Sequence, residues 1–201
     1  MVPSDNSADS KAESRRRQII EAAMRCFRRN GFHSTSMAAL AKEAGMSVGH
    51  IYHYFENKEA IIAAFIEDDL QEFREAMERL QSAGGSFVDA MVEQADFGFD
   101  DMCDPDYAGL FLEISVEASR NPKVAALVAE SDRCMRETLA QMIAADCGCT
   151  DPGTADRLMG RVEMIAALYE GLTIRAIRNP SLDREAMLDA MRLTIARLLS
   201  P

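Results

Sequence analysis

Histidine, tryptophan and long apolar runs are scarce or absent in this sequence. It has three histidines, all before residue 54, and no tryptophan. The C-terminal two thirds therefore lack the commonest general base and zinc ligand, and no glycine-rich phosphate loop or nucleophile–base set stands in their place. No apolar stretch approaches the roughly 18 residues that a bilayer span requires. We expect no catalytic site, no metal site, no cofactor and no membrane association.

The five cysteines are odd in number and irregularly spaced, and no secretory signal precedes them. This usage favours reduced thiols in the cytoplasm over a disulfide framework. The Cys147-Gly148-Cys149 pair leaves two interpretations open: a redox switch or metal site, or two small residues at a helix end. The remaining three are Cys26, Cys103 and Cys134.

Positive charge is also in short supply, since the formal net charge is −11. Residues 1–60 nevertheless hold 9 basic and 7 acidic side chains, whereas the other 141 residues hold 13 basic and 26 acidic ones. Only the N-terminal part can therefore attract nucleic acid by its charge. The acidic remainder either keeps that part of the molecule away from DNA or is an ordinary soluble surface.

Helical periodicity runs through the chain, and no segment alternates with period two. We predict an all-α fold of about nine helices, with an N-terminal three-helix module followed by a helical bundle. Residues 1–11 are polar and small and are expected to form a disordered tail. The expected helices span about 12–30, 37–44, 48–54, 58–81, 87–102, 106–119, 122–147, 154–178 and 183–199.

Residues 35–58 carry the pattern of a helix-turn-helix. Two helices of about seven residues are joined by a turn at Gly45, where glycine permits the left-handed conformation of a tight turn. Thr35 or Ser36 caps the first helix and Ser47 the second. The small core between the helices is expected from Met37, Leu40, Ala41, Ile51 and Phe55.

The second of these helices has an unusual outward face, because no acidic residue occurs between Gly45 and Phe55. Tyrosine hydroxyls can donate to phosphates, and an acid-free face can approach the DNA backbone without repulsion. Gly49 allows the helix to lie close to base edges. Expected DNA contacts are Thr35, Ser36, Val48, Gly49, His50, Tyr52, His53, Tyr54 and Lys58.

Taken together, these motifs resemble the TetR family of bacterial regulators over about residues 14–65. The matching elements are Phe27, Gly31-Phe32, Thr35-Ser36-Met37, Leu40-Ala41, Ala44–Ser47, Gly49–Phe55 and Asn57–Glu59. The resemblance implies DNA binding by residues 12–58, with Met37 among the contacts. It also implies a ligand-binding and dimerisation domain over 59–201, a two-fold homodimer, a near-palindromic double-stranded operator, and release of DNA when a small-molecule effector binds. Residues 168–172 resemble the betaine- and multidrug-regulator branches.

Methionines and aromatic residues in the C-terminal part suggest an effector pocket, although ordinary core packing is the alternative. The candidate lining residues are Phe97, Met102, Tyr107, Phe111, Met135, Met164 and Tyr169. The last two long helices are the expected dimer interface, through one stripe at Leu158, Val162, Ile165, Ala166 and Tyr169 and another at Met187, Leu188, Met191, Ile195 and Leu198. Glu113, Glu117 and Glu163 are expected at the surface.

The function predicted from these features is a DNA-binding transcriptional repressor. Activation in place of repression stays open, because the position of the operator at the promoter decides it. A helical adaptor that binds protein and not DNA is a further alternative, although an acidic patch in place of the tyrosine and histidine face would have supported it better.

Overall fold

The computed structural model describes residues 6–148 and 152–200, which form helices and no strand, as predicted. Ten helices are present in this part of the chain: α1 (Asn6–Asn30), α2 (Met37–Glu43), α3 (Val48–Tyr54), α4 (Lys58–Ser82), α5 (Phe87–Glu93), α6 (Ala95–Cys103), α7 (Pro105–Ala118), α8 (Pro122–Cys147), α9 (Pro152–Arg178) and α10 (Arg184–Leu199). One more helix is present than expected because the chain leaves helical geometry at Gln94, where φ is −97° and ψ is 20°, and divides α5 from α6.

The two ends of the first predicted helix have different outcomes. Its C-terminal end is confirmed, because Gly31 has a φ of +79° directly after Asn30. Its N-terminal end is earlier than predicted, since the helix begins at Asn6 and includes residues 6–11, which we expected in a disordered tail. Helix propensity does not explain this extension, because only Ala8 and Lys11 among these six residues are strong helix formers. Residues 1–5 of that tail lie outside the described part.

Prolines begin three of the longer helices, namely α7 at Pro105, α8 at Pro122 and α9 at Pro152. Proline is suited to the first helical position because its fixed φ is already helical and its missing N–H has no partner there. The helix starts expected at about residues 106, 122 and 154 are therefore confirmed to within two residues. None of the helices in the described part combines the length and apolar composition needed to cross a bilayer.

The chain folds into two compact units whose division differs from the expected boundary after residue 58. The N-terminal unit extends to Asp68 and also contains Gly109–Val128, while the C-terminal unit contains Asp69–Ala108 and the residues from Ala129 onward. Leu110, Ile114 and Val124 explain the added segment, because they are buried in the same apolar cluster as α1 to α4. A module of three helices alone would leave that cluster open to water.

The core of the C-terminal unit corrects the expected dimer stripes. Leu158, Val162 and Ile165 of α9 are buried in the chain's own core, and so are Leu188, Met191 and Ile195 of α10. Side chains already packed within one subunit cannot also form the contact with a second one. The periodicity was therefore correct, but it marked the internal face of each helix.

The cysteines also depart from expectation at one position. Cys26, Cys103 and Cys134 are free, as expected for reduced thiols. Cys147, however, is disulfide-bonded. It is exposed at the end of α8, where no packing opposes oxidation. Cys149 lies outside the described residues.

Candidate DNA interface

The turn between α2 and α3 has the predicted geometry. Gly45 has a φ of +66°, and its N–H donates to the Lys42 carbonyl at 3.2 Å. Ser36 caps α2 by accepting from the Ala39 N–H at 3.1 Å, and Ser47 caps α3 by accepting from the His50 N–H at 3.2 Å. The caps at Ser36 and Ser47 fix the residue at which each short helix begins. A helix of seven residues is too short to form by intrinsic propensity alone, so the caps are needed.

A buried apolar layer beneath α2 and α3 holds the two helices together. Leu40, Ala41, Ile51 and Phe55 are all buried, which confirms their predicted role. Met37 is only partly buried and packs against the same cluster. Because these residues occupy the inner face of each helix, the remaining residues of α3 are left facing outward.

The outer face of α3 is aromatic, polar and free of carboxylates. Val48, Gly49, His50, Tyr52 and His53 are exposed there, with 53% of Tyr52 accessible. Tyr54 is half-buried, and its ring lies 5.4 Å from that of His50 and 5.2 Å from that of His53. These ring contacts order the side chains before any partner arrives. The role of these residues as DNA contacts stays a prediction.

The sequence suggested one shared role for Thr35 and Ser36, but the structure gives them different roles. Thr35 is buried, and its hydroxyl donates to the Gly31 carbonyl at 2.8 Å. The expected contact between the Thr35 hydroxyl and DNA is therefore wrong: this side chain is directed inward, where its hydroxyl satisfies the carbonyl of Gly31, the residue that follows α1. Ser36 remains exposed at the start of α2.

Lys58 lies at the start of α4 and is engaged within the protein. Its ammonium donates to the carbonyls of Phe32 and His33, and it lies 4.3 Å above the centre of the Phe32 ring. Burial lowers the pKa of the Lys58 ammonium, against the opposing effect of Glu59 and Glu117. This lysine therefore closes the loop that connects α1 to α2, and its contact with phosphate stays a prediction.

Two glutamates of α7 belong to this unit and were missed by sequence reasoning. Glu113 accepts the Phe32 N–H, and Glu117 is 2% exposed with an oxygen 3.1 Å from His33 Nε2. The expectation of a surface position is wrong for Glu117, although Glu163 is exposed as expected. The available signal was their spacing, since Glu113 and Glu117 are one turn apart beside the apolar Leu110 and Ile114.

The predicted effector residues fall into three groups. Tyr107 and Tyr169 are largely buried in the C-terminal unit, and burial raises the pKa of both hydroxyls, to about 12 for Tyr169. Met102 packs against the C-terminal core and accepts from the Thr173 hydroxyl at 3.6 Å, while Met135 is half-buried. Phe111 lies in the N-terminal unit.

The expectation that the remaining two residues, Phe97 and Met164, line the effector pocket is wrong. They are 69% and 53% exposed, so they do not line a cavity within this chain. The inward positions on α6 and α9 are already occupied, by Phe99 and by Ile165 respectively. Gly98, also in α6, has a clear packing reason: a Cβ there would lie 2.8 Å from Cε1 of Tyr169.

Carboxylates lie around Tyr107 in the C-terminal unit. The pKa of Asp69 is raised from 3.8 to about 6, mainly by burial and further by the charges of Glu72 and Asp101. Asp69, Asp101 and Glu72 also add to the rise in the pKa of Tyr107. No cation contributes to either shift. This region therefore disfavours negative charge.

Comparisons with known proteins agree with this geometry. Residues 19–65 match the model of bacterial regulatory proteins of the tetR family, and residues 88–200 match the C-terminal model of BetI-type transcriptional repressors. The HTH-type transcriptional regulator UidR of Escherichia coli K12 is 37% identical over 146 residues, which cover 68% of each chain.

Two solved structures resemble the whole described fold. Salmonella enterica GusR has a TM-score of 0.68 and 28% identity, covering 92% of this chain and 95% of its own. A regulator from Saccharomonospora viridis, solved in complex with choline, has a TM-score of 0.67 and 22% identity over 93% of this chain and 96% of its own.

Two short capped helices above a buried layer, with an exposed face that carries no carboxylate, define a helix-turn-helix DNA-binding regulator. The chain belongs to the TetR family of bacterial regulatory proteins, and its C-terminal part is of the BetI type. Its relatives UidR and BetI of Escherichia coli are HTH-type transcriptional regulators.

Proposed function

We propose that this protein is a homodimeric transcriptional repressor that binds a near-palindromic operator through α3 and leaves it when a small molecule binds the C-terminal unit. The observation that carries the proposal is the outer face of α3. It has no carboxylate in a chain whose net charge is −11. Val48, Gly49, His50, Tyr52 and His53 are the proposed base and backbone contacts, with Ser36, Met37 and Tyr54 beside them.

The homodimer is proposed through the outward faces of α9 and α10. Gly160, Met164, Ala167, Gly171 and Ile174 follow one another on the outer side of α9, and Leu193 is exposed on α10. A glycine inside a helix destabilises it by about 1 kcal/mol relative to alanine. A Cβ added at Gly160 or Gly171 would meet nothing within 4 Å, so packing inside the chain does not account for that loss. Close approach of a second copy of the chain would account for both glycines and for the exposed apolar side chains.

The proposed effector is neutral or cationic. Tyr107 and Tyr169 offer buried hydroxyls in the C-terminal unit, and Asp69 is a partly buried carboxylate with no cationic partner contributing to its pKa. A ligand with an ammonium group or with hydrogen-bond donors would relieve that unpaired charge, whereas an anionic one would add to the repulsion. The regulator that binds choline shares only the fold, so the argument rests on the side chains of this chain.

The test is selection of bound duplexes from a random pool, followed by titration of the selected duplex and of a scrambled one at two salt concentrations. We expect a near-palindromic site, two chains per site by light scattering, and weaker binding at higher salt. Replacing Tyr52 with alanine should weaken binding of the selected duplex by about 1–3 kcal/mol. Gln71→Ala, an exposed change on α4, is the control and should bind normally.

Two outcomes would contradict the proposal. Absence of enrichment, even after denaturing and refolding to remove a bound effector, would favour the helical adaptor. Binding by a single chain would contradict the homodimer. Placing the selected duplex at a reporter promoter then distinguishes repression from activation.

A further inference from the structure

The C-terminal half of α7 packs against the DNA-binding unit along one face. Leu110 and Ile114 are buried in the apolar core that they share with α1 to α4. A Cβ at Gly109 would lie 3.1 Å from Cγ of Arg28, so the missing side chain lets α7 approach α1 closely. Glu113 follows Gly109 by four residues, and Glu117 follows Glu113 by four more. Residues with this spacing lie on one face of a helix, so both carboxylates are on the same side as the packed residues.

Glu113 holds the backbone of the loop between α1 and α2. Its Oε1 accepts the Phe32 N–H at 2.6 Å. At the preceding Gly31, φ is +79° and a Cβ would lie 3.3 Å from that same oxygen. Glycine therefore serves two needs at this position, the left-handed turn and the close approach of a carboxylate.

Glu117 holds the next residue of the loop. One carboxylate oxygen lies 3.1 Å from His33 Nε2, and the other accepts from Asn121 Nδ2 at 2.8 Å. The glutamate is 2% exposed, whereas the histidine is 69% exposed. A buried carboxylate without partners would strongly destabilise the fold, so the contact with His33 and the hydrogen bond from Asn121 explain how Glu117 is tolerated in the interior.

The loop transmits its position to α2 because it is internally rigid. The buried Thr35 hydroxyl donates its one proton to the Gly31 carbonyl at 2.8 Å and lies 3.3 Å from the Cys26 carbonyl, which ties the far end of the loop to its start. Lys58 closes the other side through its bonds to the Phe32 and His33 carbonyls. A displacement at Phe32 therefore moves Ser36 and the helix that follows it.

We propose that Glu113 and Glu117 are positioning residues for DNA binding: they hold Phe32 and His33 so that α2 and α3 are set in the orientation that the operator requires. The inference rests on the proposed function, since it assigns these carboxylates a role in operator binding. Neither residue contacts DNA in this proposal. Each acts through the loop at residues 31–36.

The first test measures binding of the selected duplex and the scrambled duplex by Glu113→Ala and Glu113→Gln. Alanine leaves the Phe32 N–H without its acceptor, so we expect the affinity for the selected duplex to fall about tenfold, with the scrambled duplex little affected. The glutamine side-chain oxygen can accept the same hydrogen bond, so Glu113→Gln should bind nearly as wild type does. Val116→Ala, an exposed change on α7, is the control.

The second test treats Glu117 separately, because its removal from the interior risks unfolding. His33→Ala deletes the same contact from the exposed side and should weaken binding of the selected duplex several-fold. The same substitution in a Glu117→Met background should have little further effect, as expected for two residues that act as a pair.

Three results would overturn the proposal. The first is unchanged affinity for the selected duplex in Glu113→Ala. The second is parallel loss for both duplexes together with a lower melting temperature, because that marks a purely structural residue. The third is full additivity of His33→Ala with Glu117→Met, because that marks a histidine acting directly on DNA. Failure of the wild-type protein to select any duplex would instead overturn the proposed function.

Discussion

Asp69 is expected to destabilise the folded protein at neutral pH, and Asp69→Asn should remove that effect. Burial is the main cause of the rise in its pKa from 3.8 to about 6, and the charges of Glu72 and Asp101 increase it. Asparagine keeps the shape and loses the charge. We therefore expect Asp69→Asn to raise the free energy of unfolding, because the folded state no longer has to bury a charged carboxylate on α4.

The magnitude follows from the pKa shift. At about 1.36 kcal/mol per pKa unit, the full shift corresponds to about 3 kcal/mol, and screening of a partly exposed carboxyl reduces the expected gain to about 1–3 kcal/mol. The folded-state pKa lies above the unfolded-state value of 3.8. The folded state therefore binds the proton more tightly, so the destabilisation is absent below 3.8, grows as the pH rises towards 6 and is complete above it.

The assay is urea denaturation of wild type and Asp69→Asn at about pH 5 and about pH 8, at one protein concentration because a dimer is proposed. The gain at about pH 5 should be roughly half of that at about pH 8. Glu78→Gln, an exposed change on the same helix, should give no comparable gain. If Asp69→Asn were less stable than wild type at the higher pH, the carboxylate would have a favourable partner, and the reasoning about its burial would be refuted.

Two further predictions concern the C-terminal unit. Gly98→Ala should lower the free energy of unfolding by about 1–3 kcal/mol in thermal unfolding, because the new Cβ would lie 2.8 Å from the Tyr169 ring. The matched control is Gly160→Ala, whose Cβ would meet nothing within 4 Å in the chain. The control should not reproduce the loss of stability in a diluted, monomeric sample. Choline should raise the melting temperature of the wild type, and should raise that of Asp69→Asn by less. A carboxylate compound of similar size should not raise the melting temperature of the wild type. Greater stabilisation by the carboxylate compound than by choline would contradict the proposed effector class.

The elements that were predictable from the sequence are those with a local cause. Ser47 as a cap and Gly45 at a left-handed turn each depend on residues a few positions away. The division between α5 and α6 had no such signal, because Gln94 is neither a glycine nor a proline and the apolar pattern continues through it. A break of this kind is decided by packing on both sides, which periodicity does not contain.

Periodicity also cannot say which of two apolar faces of a helix turns inward. On α9, Val162 and Ile165 are buried, whereas Met164 and Ile174 lie on the opposite side and are exposed. The larger and more continuous stripe enters the core of the same chain, because it buries more area there. What remains outside mixes small residues with a few large ones, and this is the face now proposed for a second copy.

The candidate DNA interface was predictable on α3 and not around it, for a reason that concerns charge. Counting residues 1–60 gave an excess of basic side chains, but the folded unit, which extends to Asp68 and includes Gly109–Val128, holds 11 basic and 11 acidic residues. Net charge therefore cannot attract this unit to DNA. In the folded unit, carboxylates that lie outside α3 are paired with basic side chains. Glu43 pairs with Arg29 at 2.9 Å, and Asp68 pairs with Arg16 at 3.2 Å. Glu117 is buried against His33. The acid-free face itself is a local feature of residues 45–55, whereas the pairing of the surrounding carboxylates depends on contacts distant in sequence, which a local pattern cannot predict. Because the unit is neutral overall, its specificity must come from the shape and hydrogen bonding of α3 more than from long-range attraction.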